Sequence, residues 1–391
     1  MNTLNNKFID IYGAGISGST LARLCAEKGY IVNVYEKKKN IGGNCFDFLN
    51  KHNIYIHKFG PHIFHTNNDE VYNFCKKYTK INNFIHRVKC CAKYNGEKKV
   101  FPLPINFNSI KIIFGIKISK IIINKLKDKF PHQTDITLYE LNKQINDKYL
   151  KLLYDFLFKN VYANYTSKMW GITIDKIDKN VINRIKIVLS YKDTYFPNDK
   201  HQFIPKEGYT SLIKNILNHK NITVHINAKH KIKFLNNKIY VNNKINNNLI
   251  FYCGSVDELL NYKFGKLPYR SLNIKFKNIK CASFQDRPVI NYPQDKSMTR
   301  ITEYKKFLNQ ISVYTTISKE YPGAYDPNDK KFNIKFYPIN NKKNDAILNR
   351  YKLFLNKYKN FKLLGRLAEY KYFDMDDAII NAFDIFKKCF N

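Results

Sequence analysis

The stretch FIDIYGAGISGSTLARLCAEKGYIVNVYEKKKNIGGN, residues 8–44, decides the fold. It opens with the near-continuous apolar run Phe8–Tyr12, which is typical of a strand buried on both faces. A glycine turn follows, and the apolar spacing over residues 21–26 predicts a helix. Residues 31–34 predict a second strand, and Glu36 stands at its end. This order of strand, turn, helix and strand predicts a parallel α/β unit.

Three glycines of the turn, Gly13, Gly15 and Gly18, form the pattern G-x-G-x-x-G. The first permits a tight bend, the second lets the backbone approach a pyrophosphate, and the third allows close helix–strand packing. The pyrophosphate would lie at the helix N-terminus, where unpaired N–H groups and the helix dipole favour an anion. Glu36, roughly twenty residues further on, is placed for a ribose hydroxyl. The stretch therefore predicts a dinucleotide-binding site.

A second glycine turn, Gly42-Gly43-Asn44, follows a few residues after Glu36. It lets the backbone return to the same dinucleotide, and this pattern favours FAD over NAD as the cofactor. The alternative is an ordinary loop, since Gly-Gly pairs are common in loops. Because the turn follows the first unit in register, we predict bound FAD.

The composition is that of a folded protein with an unusual charge. The 391 residues suffice for about two or three domains, and a hydrophobic content of 44% argues against a disordered chain. The formal net charge of +36 invites a nucleic-acid-binding interpretation. However, the lysines are scattered among asparagines and isoleucines, with no arginine-rich arm and no recognised nucleic-acid-binding motif. We therefore expect no specific nucleic-acid partner, and we expect the charge to attract anionic substrates.

The eight cysteines show neither a CxxC pattern nor the spacing of a zinc site, so no metal centre is expected. Most lie in apolar runs, where a free cysteine behaves as a small hydrophobic residue, and this fits a reducing cytoplasm. The apolar stretch 110–123 is too short to span a bilayer, and the first strand begins too early for a signal peptide. We predict a soluble, cytoplasmic protein without a membrane anchor.

A loop opened by Gly-Pro carries His62 and His65. The two histidines can serve the chemistry of a site, or they can be packing residues whose nitrogens are satisfied by the backbone. Thr66 or Asn67 is expected to cap the helix that follows. The residues alone leave the role of the histidines open.

Ten blocks of the sequence follow one another in a recognisable order. They are GAGISGS (13–19), EKKKNIGGN (36–44), GPHIFHTN (60–67), FPLPINFNSI (101–110), YTSKMWG (165–171), FIPKEGYTSL (203–212), FGKLPYRSL (264–272), TRITEYKKF (299–307), KEYP (319–322) and GRLAEYKYFDMD (365–376). In this order, and over almost the whole chain, they resemble the UDP-galactopyranose mutase family of the bacterial type.

The resemblance implies a flavin-dependent isomerase that interconverts UDP-galactopyranose and UDP-galactofuranose and supplies galactofuranose for glycan synthesis. It implies a ring contraction without net redox change, through an adduct between N5 of reduced FAD and the galactosyl group. The FAD is expected to be active when reduced, by a reductant such as NAD(P)H. No side chain is an obvious acid or base, which fits chemistry carried mainly by the cofactor. A homodimer is also implied.

The resemblance assigns site residues by their position in the matched blocks. The cofactor-binding residues that it implies are Gly13, Gly15, Ser17, Gly18, Glu36, Lys37, Gly43, Asn44, His62, Gly365, Arg366, Tyr372, Asp374 and Met375. The substrate-binding residues that it implies are Asn82, Tyr165, Thr166, Trp170, Arg184, Tyr195, Phe196, Asn291, Arg300, Tyr337, Tyr372 and Asp374. As catalytic residues it implies Arg184, Arg300, His62 and His65.

Two arginines carry the sharpest of these expectations. Arg184 and Arg300 are expected to hold the diphosphate, because a guanidinium offers planar, bidentate donors. For Arg300 the alternative is a surface ion pair with Glu303. Residues 171–184 show little apolar periodicity, as expected of a mobile loop that carries Arg184. Trp170 can be a core residue, or it can stack on a base.

The expected fold class is α/β, with a discontinuous Rossmann-like FAD-binding domain, an inserted helical bundle and a twisted antiparallel β-sheet domain. The FAD-binding domain is assigned to residues 1–85, 204–262 and 345–391. The bundle is assigned to 105–184, with the substrate loop near 171–184, and the sheet domain to 86–104, 185–203 and 263–344. Residues 188–196 are expected to contribute to the sheet. The active site is expected where the three domains meet.

Two other functional classes remain open from the residues. An amine-oxidase-like flavoenzyme would share the first glycine turn, but it would consume oxygen with an amine and would need no nucleotide sugar. A basic nucleic-acid-binding protein would use the positive charge and bind a duplex with a steep salt dependence.

Overall fold

The computed structural model describes residues 7–171 and 186–390. In these ranges the strands are β1 (Phe8–Tyr12), β2 (Ile31–Tyr35), β3 (Asp47–Leu49), β4 (Tyr55–His57), β5 (Phe64–Thr66), β6 (Ile81–Asn83), β7 (Val88–Tyr94), β8 (Glu97–Leu103), β9 (Asp135–Thr137), β10 (Lys186–Val188), β11 (His201–Pro205), β12 (Ile222–His225), β13 (Ile232–Leu235), β14 (Lys238–Val241), β15 (Lys244–Ile245), β16 (Leu249–Tyr252), β17 (Tyr269–Ile279), β18 (Val289–Asn291), β19 (Arg300–Glu303), β20 (Thr315–Ala324), β21 (Tyr337–Pro338) and β22 (Phe361–Leu363). The helices are α1 (Ile16–Glu27), α2 (Asp69–Tyr78), α3 (Phe107–Lys129), α4 (Leu138–Asn142), α5 (Lys148–Phe156), α6 (Ala163–Trp170), α7 (Gly208–Leu217), α8 (Val256–Leu259), α9 (Lys342–Leu355) and α10 (Met375–Phe390). Short 3₁₀ turns span Gly43–Cys45 and Tyr304–Phe307, and the π-helical turn Leu157–Tyr162 joins α5 to α6.

A five-stranded parallel sheet in the order β12–β2–β1–β16–β22 forms the centre of the dinucleotide-binding part. Ile9 and Ile11 of the central strand β1 are buried, as the apolar run predicts. The register of β1 with β2 runs from Phe8 opposite Ile31 to Tyr12 opposite Tyr35. The predicted strand–turn–helix–strand unit is therefore present.

Distant parts of the chain build this sheet. Strands β1 and β2 lie at the start of the chain, whereas β22 pairs with β16 near its end, with Phe361 opposite Ile250. The last helix α10 returns to the first helix α1: Nζ of Lys28 donates to the carbonyl oxygen of Phe390 at 2.7 Å. The dinucleotide-binding part is discontinuous in sequence.

The second large sheet has seven strands in the order β21–β17–β20–β19–β18–β7–β8. Its neighbouring strands are antiparallel except β18 and β7, which are parallel. An antiparallel sheet was expected, and the structure adds to it one parallel pair, β18 with β7. Strand β7 comes from a distant part of the chain, so no hairpin connection forces it to run antiparallel to β18.

Residues 186–205 contribute no strand to this sheet. Strand β10 pairs with β9 of the helical insertion, and β11 pairs with β5 and β6. Residues 189–200 form no strand, so the expectation of a sheet strand over 188–196 is wrong. The backbone there bonds to loops instead: the amide of Tyr195 donates to the carbonyl oxygen of His86 at 2.8 Å.

The helical insertion begins at Asn106, whose side chain caps helix α3 together with Ser109. Gly115 interrupts this helix with φ 74° and ψ 172°, a backbone conformation that only glycine adopts readily. The apolar side chains Ile110, Ile113 and Leu126 are buried, and the helix packs against strand β8 and helix α5. Within residues 7–171 and 186–390, no helix is long and apolar enough to cross a membrane.

Asn68, rather than Thr66 or Asn67, caps helix α2. Its side-chain oxygen accepts hydrogen bonds from the amides of Glu70 and Val71 at 2.8 and 3.1 Å. The hydroxyl of Thr66 accepts from the amide of Asn68 at 3.1 Å, and Asn67 accepts from a distant amide. Thr66, Asn67 and Asn68 are all of residue types that favour the N-cap position. Because the side chains of Thr66 and Asn67 accept from other amides, Asn68 caps the helix.

Candidate active site

The first glycine turn is closed by contacts that leave no room for side chains. A Cβ built on Gly13 would lie 2.8 Å from Cβ of Cys253, and φ of Gly13 is +125°. A Cβ built on Gly18 would lie 2.0 Å from the carbonyl oxygen of Gly13. Only glycine fits at these two positions, so the turn brings the start of helix α1 close to strands β1 and β16.

The N-terminus of helix α1 is open to a ligand. Gly15 is its N-cap, no side chain in the described residues caps it, and its first turn carries no acidic residue. The first N–H groups of a helix have no intrahelical partner, and the dipole makes this end positive. The turn therefore presents donors suited to an anion.

Glu36 is held rigidly beyond the end of β2. Its Oε2 accepts a hydrogen bond from the amide of Ala14 at 3.0 Å, and Oε1 accepts from the amide of Lys38 at 2.9 Å. The residue is buried. A carboxylate is thereby fixed directly beside the first glycine turn.

The second glycine turn lies against the first. Gly42 and Gly43 have φ of +105° and +56°, and a Cβ on Gly43 would lie 3.2 Å from Cα of Gly15. The amide of Gly42 donates to the carbonyl oxygen of Ala14 at 2.8 Å. The two turns thus share one narrow backbone cradle.

The segment after β22 closes the other side of the cradle. A Cβ on Gly365 would lie 2.7 Å from Oγ of Ser17, so the first and last parts of the chain touch here. Nε of Arg366 donates to the carbonyl oxygen of Phe373 at 2.9 Å, and its guanidinium lies 4.9 Å from the ring centroid of Tyr372. Arg366 therefore fixes the loop that leads into helix α10.

One cavity of about 1190 Å³ joins the glycine turns to the edge of the large sheet. Its walls include the following residues predicted from the sequence: Gly13, Gly15, Ser17, Gly18, Glu36, Lys37, Gly43, Asn44, His62, His65, Tyr195, Phe196, Asn291, Arg300, Tyr337, Gly365, Arg366, Tyr372, Asp374 and Met375. The structure thus brings together residues that lie more than three hundred positions apart in the chain.

Four predicted substrate residues, Asn82, Tyr165, Thr166 and Trp170, are outside the walls of this cavity. Nδ2 of Asn82 donates to the carbonyl oxygen of Phe307 at 3.3 Å. Thr166 is buried. The ring centroid of Trp170 lies 6.5 Å from that of Tyr337, at the cavity edge. Arg184 lies outside the described residues.

Arg300 and Asn291 face each other on the neighbouring strands β19 and β18. Nε of Arg300 lies 2.7 Å from Oε2 of Glu320, whose side chain is fully buried. Burial raises the pKa of Glu320, and the guanidinium of Arg300 opposes this shift. The alternative pairing of Arg300 with Glu303 is wrong. Glu303 instead accepts from two amides and from the hydroxyl of Thr315.

Glu320, the partner of Arg300, was not predicted from the sequence as a residue of the site. It lies in the block KEYP, and it pairs in register with Arg300 on strand β20. Strand β20 (TTISKEYPGA) is largely polar before Glu320, so no local pattern marked this carboxylate as buried. The partner depends on strand register, which the local sequence does not reveal.

His62 lies in the cavity wall as a neutral imidazole. Its Nδ1 lies 2.7 Å from the carbonyl oxygen of Gly60, and its amide donates to Nδ1 of His57 at 3.0 Å. Burial lowers the pKa of His62 to about 3. With a proton on Nδ1 for the Gly60 contact, Nε2 is left as a hydrogen-bond acceptor.

His65 and two aromatic residues form the neighbouring wall. Nδ1 of His65 lies 2.7 Å from Oδ2 of Asp199, and its ring stacks on Phe196 with centroids 3.7 Å apart. Tyr195 lies at right angles to Phe196, and burial raises its pKa. In the same cavity Tyr337 stacks on Tyr372, with ring centroids 5.8 Å apart. Flat aromatic faces therefore line the same cavity as Arg300 and Asn291.

Comparison with known proteins agrees with these features. A sequence model of the UDP-galactopyranose mutase family (GLF) matches residues 160–372, and a model of NAD(P)-binding Rossmann-like domains matches residues 11–78. The UDP-galactopyranose mutases of Mycoplasma genitalium and Mycoplasma pneumoniae are 42% and 37% identical to this chain, over 96% of it and over 93% and 94% of the relatives. The predicted dinucleotide-binding domain is confirmed.

Two further similarities bear on fold and substrate. A dTDP-fucopyranose mutase of Escherichia coli is 32% identical over 96% of each chain. A crystal structure of reduced UDP-galactopyranose mutase aligns with a TM-score of 0.68 at 14% identity, over 98% of this chain and 96% of that one. At this identity the structural likeness shows the fold. The resemblance of the ten sequence blocks is confirmed, and the chain belongs to the UDP-galactopyranose mutase family, a family of isomerases.

Proposed function

We propose that this protein interconverts UDP-galactopyranose and UDP-galactofuranose, with FAD in the large cavity and with activity when the FAD is reduced. The observation that carries the proposal is that the two glycine turns and the pair Arg300 and Asn291 line one cavity. A nucleotide sugar bound at Arg300 would then meet a dinucleotide bound at the turns. The relatives named as UDP-galactopyranose mutases support the same substrate.

The residues present fit a flavin dinucleotide. Gly15 and Gly43 face each other so closely that a Cβ would fill the cradle, as expected where a backbone approaches a pyrophosphate. The open end of helix α1 would hold the diphosphate, and Glu36 with Lys37 would hold the ribose. We assign Ser17, Asn44, His62, Gly365, Arg366 and Met375 to the rest of the cofactor, in keeping with their position in the cavity wall.

When bound and reduced, the flavin would supply the nucleophile that displaces UDP from the anomeric carbon of the sugar. The protein's own residues would hold and orient the two partners. Nε of Arg300 is taken by Glu320, so the terminal guanidinium nitrogens are the part left to face a diphosphate. Arg184 is proposed as the second arginine on the strength of the matched sequence blocks.

The remaining assignments concern the sugar and the base. Tyr195, Phe196, Tyr337 and Tyr372 offer aromatic faces for uracil and galactose, and neutral His62 can accept a hydrogen bond at Nε2. We assign the following residues to the substrate as well: Asn82, Tyr165, Thr166, Trp170, Asn291 and Asp374. His65 is proposed to act through its contact with Phe196.

We further infer a cytoplasmic homodimer whose flavin is reduced by a donor such as NAD(P)H. Helix α3 leaves Ile112 and Ile116 exposed, with Ile116 at 72%, and a second copy would cover these side chains. All eight cysteines lie in the described residues as free thiols, as expected in a reducing compartment. The domain boundaries stated above remain a proposal, which limited proteolysis can test.

The test is the visible spectrum of the purified protein, followed by turnover of UDP-galactofuranose with and without dithionite. The proposal requires a flavin spectrum and turnover in the reduced state alone. Full turnover with oxidised flavin would contradict the role of reduced FAD. Turnover of dTDP-fucopyranose in preference to the galactose substrate would contradict the substrate assignment. Steady oxygen consumption with an amine would favour the oxidase alternative.

A further inference from the structure

Lys168 of helix α6 ends among backbone carbonyl groups. Its Nζ donates to the carbonyl oxygens of Tyr292 at 2.9 Å, Asp295 at 2.7 Å and Met298 at 2.8 Å. An ammonium group has three protons and no acceptor, so these oxygens satisfy the whole group. The carboxylate of Asp295 accepts from the amide of Met298 at 2.7 Å and so tightens the same turn. Residues 292–298 thus wrap around one lysine.

This turn joins the two strands that carry Asn291 and Arg300. The two residues are cross-strand partners, and the amide of Tyr292 donates to the carbonyl oxygen of Thr299 at 2.7 Å directly beyond them. On the other side, Lys168 lies between Tyr165 and Trp170 in the same helix. One ammonium therefore connects the helix that carries aromatic substrate candidates with the hairpin that carries Arg300.

A second cation holds the end of the same helix. Nε of Arg270 donates to the carbonyl oxygen of Met169 at 2.6 Å, and its Nη2 donates to that of Lys168 at 2.9 Å. Arg270 is 8% exposed and belongs to strand β17 of the large sheet. Positive groups at a helix C-terminus satisfy its free carbonyls and oppose its dipole. The helix end is thus fixed to the sheet, and the Lys168 contact adds the link to the hairpin.

We propose that Lys168 is a positioning residue for the nucleotide sugar, because it sets the spacing between Tyr165 and Trp170 on the helix and Asn291 and Arg300 on the hairpin. The nature of the ligand rests on the proposed function. The link itself rests on the three hydrogen bonds. A displacement of about 1 Å between two parts of a site can cost a hundredfold in rate, so such a link has a measurable effect.

The link is sensitive to pH in the alkaline range. Burial lowers the pKa of Lys168 to about 8, although the facing groups Asp295 on the turn and Cys90 on strand β7 both raise it. A neutral amine has two N–H donors for three carbonyls, so one hydrogen bond is lost when Lys168 loses its proton. An arginine at this position would stay charged across the whole range. The wild-type KM is therefore expected to rise above pH 8, and that of Lys168→Arg is not.

The experiment compares Lys168→Met and Lys168→Arg with the control Lys305→Met. Lys305 is buried and also donates to three carbonyl oxygens, those of Cys281, Ser312 and Tyr314. Lys305 lies outside the cavity wall. Lys305→Met therefore removes three hydrogen bonds from an ammonium group to carbonyl oxygens without removing the link between helix α6 and the hairpin. Steady-state kinetics of the reduced holoenzymes between pH 6.5 and 9.5 give kcat and KM. Hydrogen exchange of residues 163–171 and 289–303 reports the link directly.

Lys168→Met is expected to lower kcat/KM by about tenfold to a hundredfold, mainly through KM, and to speed exchange in both segments. Lys305→Met is expected to leave KM and the exchange of residues 163–171 unchanged. Unchanged exchange in residues 289–303, or equal KM changes in the two methionine variants, would overturn the proposal. If Lys168→Met does not fold, parallel KM profiles of the wild type and Lys168→Arg above pH 8 would overturn it. A wild type without turnover would contradict the proposed function, and the exchange measurements would then decide on the link alone.

Discussion

Arg300 and Glu320 face each other on strands β19 and β20, with Nε of the arginine 2.7 Å from Oε2 of the glutamate. The side chain of Glu320 is 0% exposed, whereas that of Arg300 is 22% exposed toward the cavity. Oε1 of Glu320 has no hydrogen-bond partner among the described residues. The glutamate thus holds the inner edge of the guanidinium and leaves the outer edge available to an anion.

Replacement of Arg300 is expected to remove the contact with the diphosphate. Arg300→Ala should lower kcat/KM by roughly thirty- to a thousandfold, the worth of one charge-assisted contact in the transition state. Arg300→Lys should restore part of the loss, because an ammonium lacks the planar fork. Steady-state kinetics of the reduced enzyme measure both, with Arg350→Ala, an exposed arginine on α9, as the control. Wild-type kcat/KM in Arg300→Ala would exclude this arginine from the site.

Replacement of Glu320 tests the ion pair as a contribution to folding. Glu320→Met leaves a buried guanidinium edge without its counter-charge and should lower the free energy of unfolding by about 3 kcal/mol. The double variant Arg300→Met/Glu320→Met should lose less than the sum of the two single variants, because both charges are gone. Urea denaturation measures the cycle, and Glu97→Met on an exposed hairpin is the control. Additive losses would argue against a coupled pair.

A methyl group at Gly43 is expected to abolish cofactor binding. Gly43→Ala adds a Cβ that would lie 3.2 Å from Cα of Gly15, in the cradle between the two turns. The control Gly96→Ala has the same left-handed strain, at φ +82°, but its Cβ would meet nothing within 4 Å. Flavin absorbance per protein should fall in the first variant and stay at the wild-type level in the second. Equal flavin content in both would contradict the proposed cradle.

Because histidines are buried in the fold, we expect the free energy of unfolding to decrease when the pH is lowered. Burial lowers the pKa of His57 from its ordinary 6.5 to about 3. Between these values the unfolded chain binds a proton that the folded chain does not, so stability falls as the pH falls below 6.5. From pH 7 to pH 5 the loss is about 2 kcal/mol for one such histidine. His57→Asn keeps an acceptor for the amide of His62 and should reduce this loss.

Chemical denaturation of the holoprotein at pH 7 and pH 5 checks the prediction. The exposed His132 provides the matched control, since His132→Asn should leave the pH dependence unchanged. The same pH dependence in His57→Asn and the wild type would show that burial does not lower the pKa of His57.

The net charge of +36 predicts weak binding to nucleic acid that disappears near physiological salt. Few phosphates are contacted together when lysines are scattered, and each contact is lost as counterions compete. Electrophoretic mobility of a DNA duplex, measured from low to physiological salt, tests this expectation. Sequence-selective binding at nanomolar concentration in physiological salt would contradict it.

The sequence predicted those parts of the fold that depend on neighbouring residues in the chain. Strand β1, helix α1 and the two glycine turns follow from an apolar run and from glycines that no other residue can replace. The pairing of β10 with β9 and the parallel pair of β18 and β7 depend on contacts between distant segments. Glu320 was missed for the same reason, because its partner follows from register rather than from a motif.

The contact between Ser17 and Gly365 has a consequence during synthesis. The strand Phe361–Leu363 and the loop that closes the cradle are made roughly three hundred residues after the glycine turns. At about 5–20 residues per second, the nascent chain spends on the order of 15–65 s with these turns made but not closed. Under the proposed function, retention of the flavin therefore begins only after Gly365 has been made. A premature stop before Gly365 would yield a chain that cannot retain the cofactor.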